Sequence, residues 1–132
     1  MQIARALGVG AALAAVTALG DRSASTQSAN ELLTGCQVVV SSARASGDRI
    51  TVSKEPTASI CWGFMGAMQE LSEMSFGGGL RTVTGVCLPS EITRLQLIRV
   101  FLSYAQAHPE KHHHPASQLV LEAWTEAFPC KR

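Results

Sequence analysis

The chain has 132 residues, enough for one domain, with 46% hydrophobic residues, eleven basic against ten acidic side chains and a formal charge of +1. So even a balance excludes electrostatic nucleic-acid binding, which needs a basic surface. Beyond the first apolar run, no segment approaches the ~20 apolar residues that cross a bilayer.

The chain opens with "MQIARALGVGAALAAVTALG", residues 1–20, which has the three parts of a secretory signal peptide. Arg5 gives the positive start, residues 6–19 the apolar run, and Ala18-Leu19-Gly20 the small residues of a cleavage site. Cleavage would start the mature chain near Asp21 and, by removing Arg5, leave it formally neutral. An export signal of this kind predicts an address outside the cytoplasm, with no membrane attachment after cleavage; the periplasm is the address that the family resemblance described below implies. Residues 21–31 read as a polar N-terminal segment and residues 32–130 as the domain. "LTGC", ending at Cys36, resembles a lipoprotein cleavage site. That site needs an apolar run directly before it, and here Asp21, Arg22, Asn30 and Glu31 intervene.

Helical spacing recurs through the domain. The first helix is expected over residues 29–43, with Leu32, Leu33, Cys36, Val39 and Val40 on one face. Residues 45–56 carry polar breakers, with a short extended piece at residues 50–52. A second helix is expected over residues 58–74, capped by Thr57, with a stripe of Ile60, Cys61, Phe64, Met68 and Leu71. Residues 76–85 are glycine-rich, and Gly77 to Gly79 form a connector, lacking the strand and helix that frame a nucleotide fingerprint.

The third helix has the clearest start, because Thr93 and Gln96 stand at capping-box spacing. Leu97, Val100, Phe101, Tyr104 and Ala105 follow as its stripe, and Pro109 ends it. Pro115 suits the first position of a fourth helix, with Leu119, Val120, Ala123, Trp124 and Ala127 on its face and Pro129 at its close. The fold class is therefore all-α, a small disulfide-clasped bundle of about four helices.

The four cysteines, Cys36, Cys61, Cys87 and Cys130, lie in the mature part. An even count in a small exported domain points to disulfides, and four cysteines allow three connectivities. Helix order favours one. A short turn makes helices three and four antiparallel, which brings Cys87, before the third, beside Cys130, after the fourth. Cys36 and Cys61 then join the first two helices.

"EKHHHPAS" places His112, His113 and His114 between a helix stop at Pro109 and a start at Pro115, with His108 just upstream. Adjacent side chains converge poorly on one ion, and HExxH is absent, so the cluster reads as a polar turn; neither a metal nor a cofactor is expected. Glu70 and Glu73 read as a solvated helix face. Ser41 and Ser42 lack triad context, and no nucleophile, base and orienting group stand together, so catalytic chemistry is not expected. Trp62 and Trp124 read as partly buried packing residues or as anchors of an interface.

Over most of the mature chain these elements resemble a known family. The carrying motifs are Cys87-Leu88-Pro89, Thr93 with Gln96, His108-Pro109-Glu110, Pro115-Ala116-Ser117 and Ala127-Phe128-Pro129-Cys130, preceded by "ICWGFMGAM" with Gly63 and Gly66. Together they resemble the Rap/Tai type of immunity protein associated with type VI secretion, small periplasmic all-helical proteins. The resemblance implies an inhibitor that binds a secreted peptidoglycan amidase effector and occludes its active site. The family's cysteines fall on Cys36, Cys61, Cys87 and Cys130; no effector-contacting residue carries over, and the partner-binding residues stay unassigned. Recognition is expected on loops such as residues 45–56 and 76–85. Whether the protein forms a homodimer is left open. The alternative reading is a small periplasmic stress or chaperone-like helical protein with no immunity role, since fold likeness alone does not fix function.

Overall fold

The computed structural model describes residues 27–75 and 82–131. The expected signal peptide, most of the polar segment that follows it, and Gly77 to Gly79 lie outside the described residues.

Helix α1 spans Ala29–Ser42. Ser28 caps it reciprocally: its Oγ accepts from the Glu31 N–H at 3.4 Å, and its own N–H donates to Glu31 Oε2 at 3.1 Å. Leu32, Leu33, Cys36 and Val39 are buried, as the expected stripe requires, while Val40 is half-buried.

The chain then makes a hairpin that the all-α reading did not contain. Strand β1 (Arg44–Ser46) pairs antiparallel with β2 (Arg49–Thr51), Ala45 opposite Ile50. Gly47, at φ 63°, is the first central residue of the turn, where a left-handed conformation favours glycine. The expected extended piece at residues 50–52 overlaps β2. Its partner β1 is exposed throughout, so no hydrophobic alternation marks it.

Helix α2 spans Pro56–Glu73 and corrects the expectation at both its start and its face. Pro56 occupies the first turn, where its missing N–H costs nothing, and Glu55 stands at the N-cap without a side-chain bond. Thr57 lies inside the helix and caps nothing. The buried residues are Ala58, Cys61, Met65, Gly66, Met68 and Ser72. Of the expected stripe, Cys61 and Met68 face the core and Phe64 is half-buried, but Ile60 is 51% and Leu71 39% exposed.

Helix α3 spans Arg94–Ala107, with Thr93 and Gln96 forming the expected capping box. Leu95, Leu97, Ile98, Phe101 and Ala105 are buried, while Val100 and Tyr104 are half-buried at the edge. A single 3-10 turn, Pro109–Lys111, leads to α4 (Ala116–Ala127). Pro115 is the N-cap of α4 rather than its first helical residue, and Ala127 is exposed rather than on the packed face. Both ends of the α3–α4 connection are thus fixed by proline, as the sequence suggests.

The four helices close on one core, in which Leu32, Val39, Met65, Leu97, Ile98, Phe101, Leu119 and Trp124 are all fully buried. Each such side chain contributes roughly 1.5–3 kcal/mol on leaving water. Helix α1 packs against α2, α3 and α4. Trp124 is completely buried, not partly, and its indole N–H donates to the Leu97 carbonyl at 3.2 Å. Trp62 is half-buried against the core.

Cys36 bonds Cys61, with Cα atoms 5.2 Å apart, and Cys87 bonds Cys130 at 4.9 Å. The second bond lies at the open end of the α3–α4 hairpin. There Val86 bridges Pro129, and the Cys87 N–H donates to the Phe128 carbonyl at 3.0 Å. The first bond accompanies a close approach of two backbones. A Cβ at Gly35 would overlap the Thr57 carbonyl, so glycine there lets α1 meet the first turn of α2.

Candidate functional site

The histidine turn is held by its backbone. The carbonyls of His112 and His114 accept from the N–H groups of Asn30 and Ala29 at 3.1 and 3.0 Å, and the Ala116 N–H donates to the Gln27 carbonyl at 3.0 Å. Ser28 and Pro115 form a bridge in the same ladder. The first N–H groups of a helix have no partner inside it, and here the turn supplies two of them with acceptors.

The side chains diverge. His112 Nε2 lies 2.8 Å from the Ala105 carbonyl, His108 Nδ1 lies 3.1 Å from Glu110, and His114 Nδ1 faces Gln118 at 3.4 Å. His113 is exposed, edge-on to His114 with centroids 4.5 Å apart. His114 thus meets the first turn of α4 through the side chain of Gln118. Among the described residues, no three His, Cys, Asp or Glu side chains are placed to hold a metal ion.

The other sequence candidates separate in the same way. Ser41 and Ser42 donate to the carbonyls of Val38 and Val39, at 3.1 and 3.3 Å, and Ser42 Oγ also accepts the Ser53 N–H at 3.0 Å. Ser42 thereby fastens the base of the hairpin to the end of α1, while Ser41 bonds only within the helix. Glu70 and Glu73 are exposed on α2, and Glu73 accepts from Gln69 at 3.4 Å. Cys36 is fully buried and disulfide-bonded, an environment that leaves no thiol for a lipid.

A polar network that the sequence did not signal links α3, the 3-10 turn and α4. Lys111 Nζ donates to Tyr104 Oη at 2.8 Å and to Glu122 Oε2 at 2.9 Å, and Tyr104 Oη reaches Glu122 at 3.3 Å. Gln118 donates to Glu122 Oε1 at 2.9 Å. The bonds from Gln118 and Lys111 hold the Glu122 carboxyl below its usual range. Tyr104 and Glu122 in turn raise the Lys111 ammonium above its ordinary value. This network floors a shallow groove of about 770 Å³, edged by Pro115, Leu121, Thr125 and Glu126. A tyrosine, a leucine and a paired charge give the groove a mixed polar and apolar surface, and of these contacts only the i, i+4 pair of Gln118 and Glu122 lies within one helix.

The second exposed element is the hairpin of β1 and β2. It carries Arg44 and Arg49, with Asp48 in the turn, and only Ile50 leans inward. It lies within residues 45–56, one of the loops singled out for recognition, save that Arg44 precedes them.

An all-α domain whose helices are clasped by two disulfides, with a short hairpin and a shallow groove on its outside, defines a small disulfide-stapled helical scaffold. The chain belongs to the Rap1a immunity proteins, a family that matches it over residues 28–130. Membership implies a cognate effector as partner. No curated protein and no solved structure matches the chain. No helix among the described residues is long and apolar enough to cross a membrane.

Proposed function

We propose that this protein is a periplasmic immunity protein that binds a secreted peptidoglycan amidase, an effector of type VI secretion, and occludes its active site. The family match over residues 28–130 carries the reading. Three features support it. The leader has the composition of an export signal. The cystines suit an oxidising compartment. The clasped scaffold holds the hairpin in place before the encounter, which lowers the ordering cost of binding.

In this reading the protein does no chemistry of its own. The hairpin Arg44–Thr51 is the leading candidate for contact, because it stands outside the core on a base fixed by Ser42 and Ser53. Co-expression with the periplasm-directed hydrolase encoded beside it tests the proposal. Cells should survive with this protein and lyse without it. The purified pair should bind with a dissociation constant in the nanomolar range or below, as tight inhibitors do. Absence of a neighbouring hydrolase, together with weak binding to many unfolded chains, would replace the reading with the chaperone-like one.

A further inference from the structure

The two cystines stand in unlike surroundings. Cys36 and Cys61 are fully buried, and each lies inside its helix. Beside them Gly35 lets α1 approach α2 so closely that a Cβ there would overlap the Thr57 carbonyl. Leu32, Val39 and Met65, also fully buried, belong to the same two helices. An outside thiol therefore reaches this bond only when α1 and α2 part, which opens the core.

Cys87 and Cys130 are half-buried, in irregular chain outside every helix. Exposed residues flank both: Gly85, Pro89 and Ser90 near the first, Pro129 and Lys131 on either side of the second. Thiol–disulfide exchange requires a thiolate to approach a sulfur, so access separates the two bonds. Charge adds to access. A neighbouring cation stabilises a thiolate, and Lys131 directly follows Cys130.

The chain around Cys87 and Cys130 is also held by contacts other than the bond. Val86 is fully buried and bridges Pro129, and the Cys87 N–H donates to the Phe128 carbonyl at 3.0 Å. Thr82 Oγ donates to the Val86 carbonyl at 2.8 Å. Trp124, in the last turn of α4, is fully buried and tied to Leu97 through its indole N–H. Once cleaved, the two thiols stay opposite each other, a placement that favours closing the same bond again.

We propose that Cys87–Cys130 is a thiol-exchange site, reduced and reformed by an external dithiol while the protein stays folded, and that Cys36–Cys61 is a permanent structural bond. A thiolate of the dithiol attacks Cys87 Sγ and forms a mixed disulfide. The cystine S–S bond breaks with its electron pair on Cys130 Sγ, which leaves as a thiolate beside Lys131 and takes a proton from water. The dithiol's second thiolate then attacks its own sulfur in the mixed disulfide, and Cys87 leaves in turn. The dithiol ends as a disulfide and the protein as two thiols, so one electron pair has passed between them. The reduced protein keeps its α1–α2 staple and loses the clasp at the open end of the α3–α4 hairpin. The redox poise of the surroundings thus sets how firmly that end is held.

Timed reduction of the mature protein by dithiothreitol under native conditions tests this, with acid quenching, alkylation and peptide mass mapping. An intermediate alkylated at Cys87 and Cys130 should accumulate, with Cys36 still linked to Cys61 and far-UV circular dichroism unchanged. Cys87–Cys130 should open at least about tenfold faster than Cys36–Cys61, because a buried bond waits for the chain to open. Removing the reductant and adding oxidised glutathione should restore the Cys87–Cys130 link. Lys131→Glu should slow its reduction severalfold with helicity unchanged. Simultaneous loss of both bonds, earlier opening of Cys36–Cys61, or an intermediate that has lost its helices overturns the proposal. An unchanged rate in Lys131→Glu overturns the attack at Cys87. No effector is present in the assay, so its failure leaves the immunity reading untouched.

Discussion

The N–H of Ala29 donates to the carbonyl of His114 at 3.0 Å, joining the first turn of α1 to a turn far along the chain. The bond uses the backbone of the histidine, not its ring. What matters at His112 to His114 is therefore where the chain passes. Side-chain changes should be tolerated in proportion to what each ring touches.

Substituting His113 and His114 together with Gln should change stability by no more than ~0.5 kcal/mol, the usual range for surface positions. His112→Ala should cost about 0.5–1.5 kcal/mol, because it removes the 2.8 Å contact to the Ala105 carbonyl. Urea unfolding of the three proteins checks both. Equal losses at His112 and at the other two would contradict the assignment.

The two glycines that abut other groups should respond differently to alanine. At Gly35 the obstacle is the Thr57 backbone, which cannot step aside, and Gly35→Ala should destabilise by roughly 1–3 kcal/mol. At Gly66 the obstacle is the far end of the Arg94 side chain, so Gly66→Ala should cost under ~1 kcal/mol. It should also shift Trp62 fluorescence as the guanidinium leaves the ring. Thermal melts with emission spectra distinguish the two cases.

Reduction should cost the protein much of its margin. Cys130→Ser, made with Cys87→Ser to avoid a stray thiol, should lower stability by about 2–5 kcal/mol. Non-reducing peptide mapping of the wild type should return Cys36 linked to Cys61 and Cys87 to Cys130. A Cys61–Cys87 link would refute the pairing.

Acid should act through Glu122. Its carboxyl is held below the usual range by Gln118 and then Lys111, so its contribution is complete above the unfolded value of about 4.3. That contribution fades as pH falls through the lower folded value. Glu122→Gln should therefore be less stable than wild type at neutral pH, with the gap closing below about pH 4. Lys111 titrates above its ordinary value, so Lys111→Met should differ from wild type across neutral pH and converge with it only in strong alkali. Denaturation midpoints across pH read both.

How far the fold could be read from sequence varied with the kind of force involved. Helix α3 announced itself because Thr93 and Gln96 carry its capping box in their side chains. Helix α2 misled because apolar residues lie on both its sides. The bond to Cys36 turns Cys61 inward, and Met65 and Met68 follow at helical spacing. Ile60 and Leu71 are thereby carried outward, although they are larger than several residues that face in. The β1 strand has no apolar pattern, and the clasp of His112 and His114 on α1 is made by carbonyls, which every residue has. The Lys111–Glu122 pair spans two elements whose mutual placement only the packed core decides.

The order of the cystines along the chain bears on how the protein is made. Cys36 is joined to the next cysteine, and Cys87 to the last, so the two loops follow one another without overlap. A chain threading N-terminus first into an oxidising space would present its thiols in that sequence. An oxidant that couples each newly arrived thiol to the one already waiting makes the native bond both times, so maturation requires oxidation without a round of reshuffling.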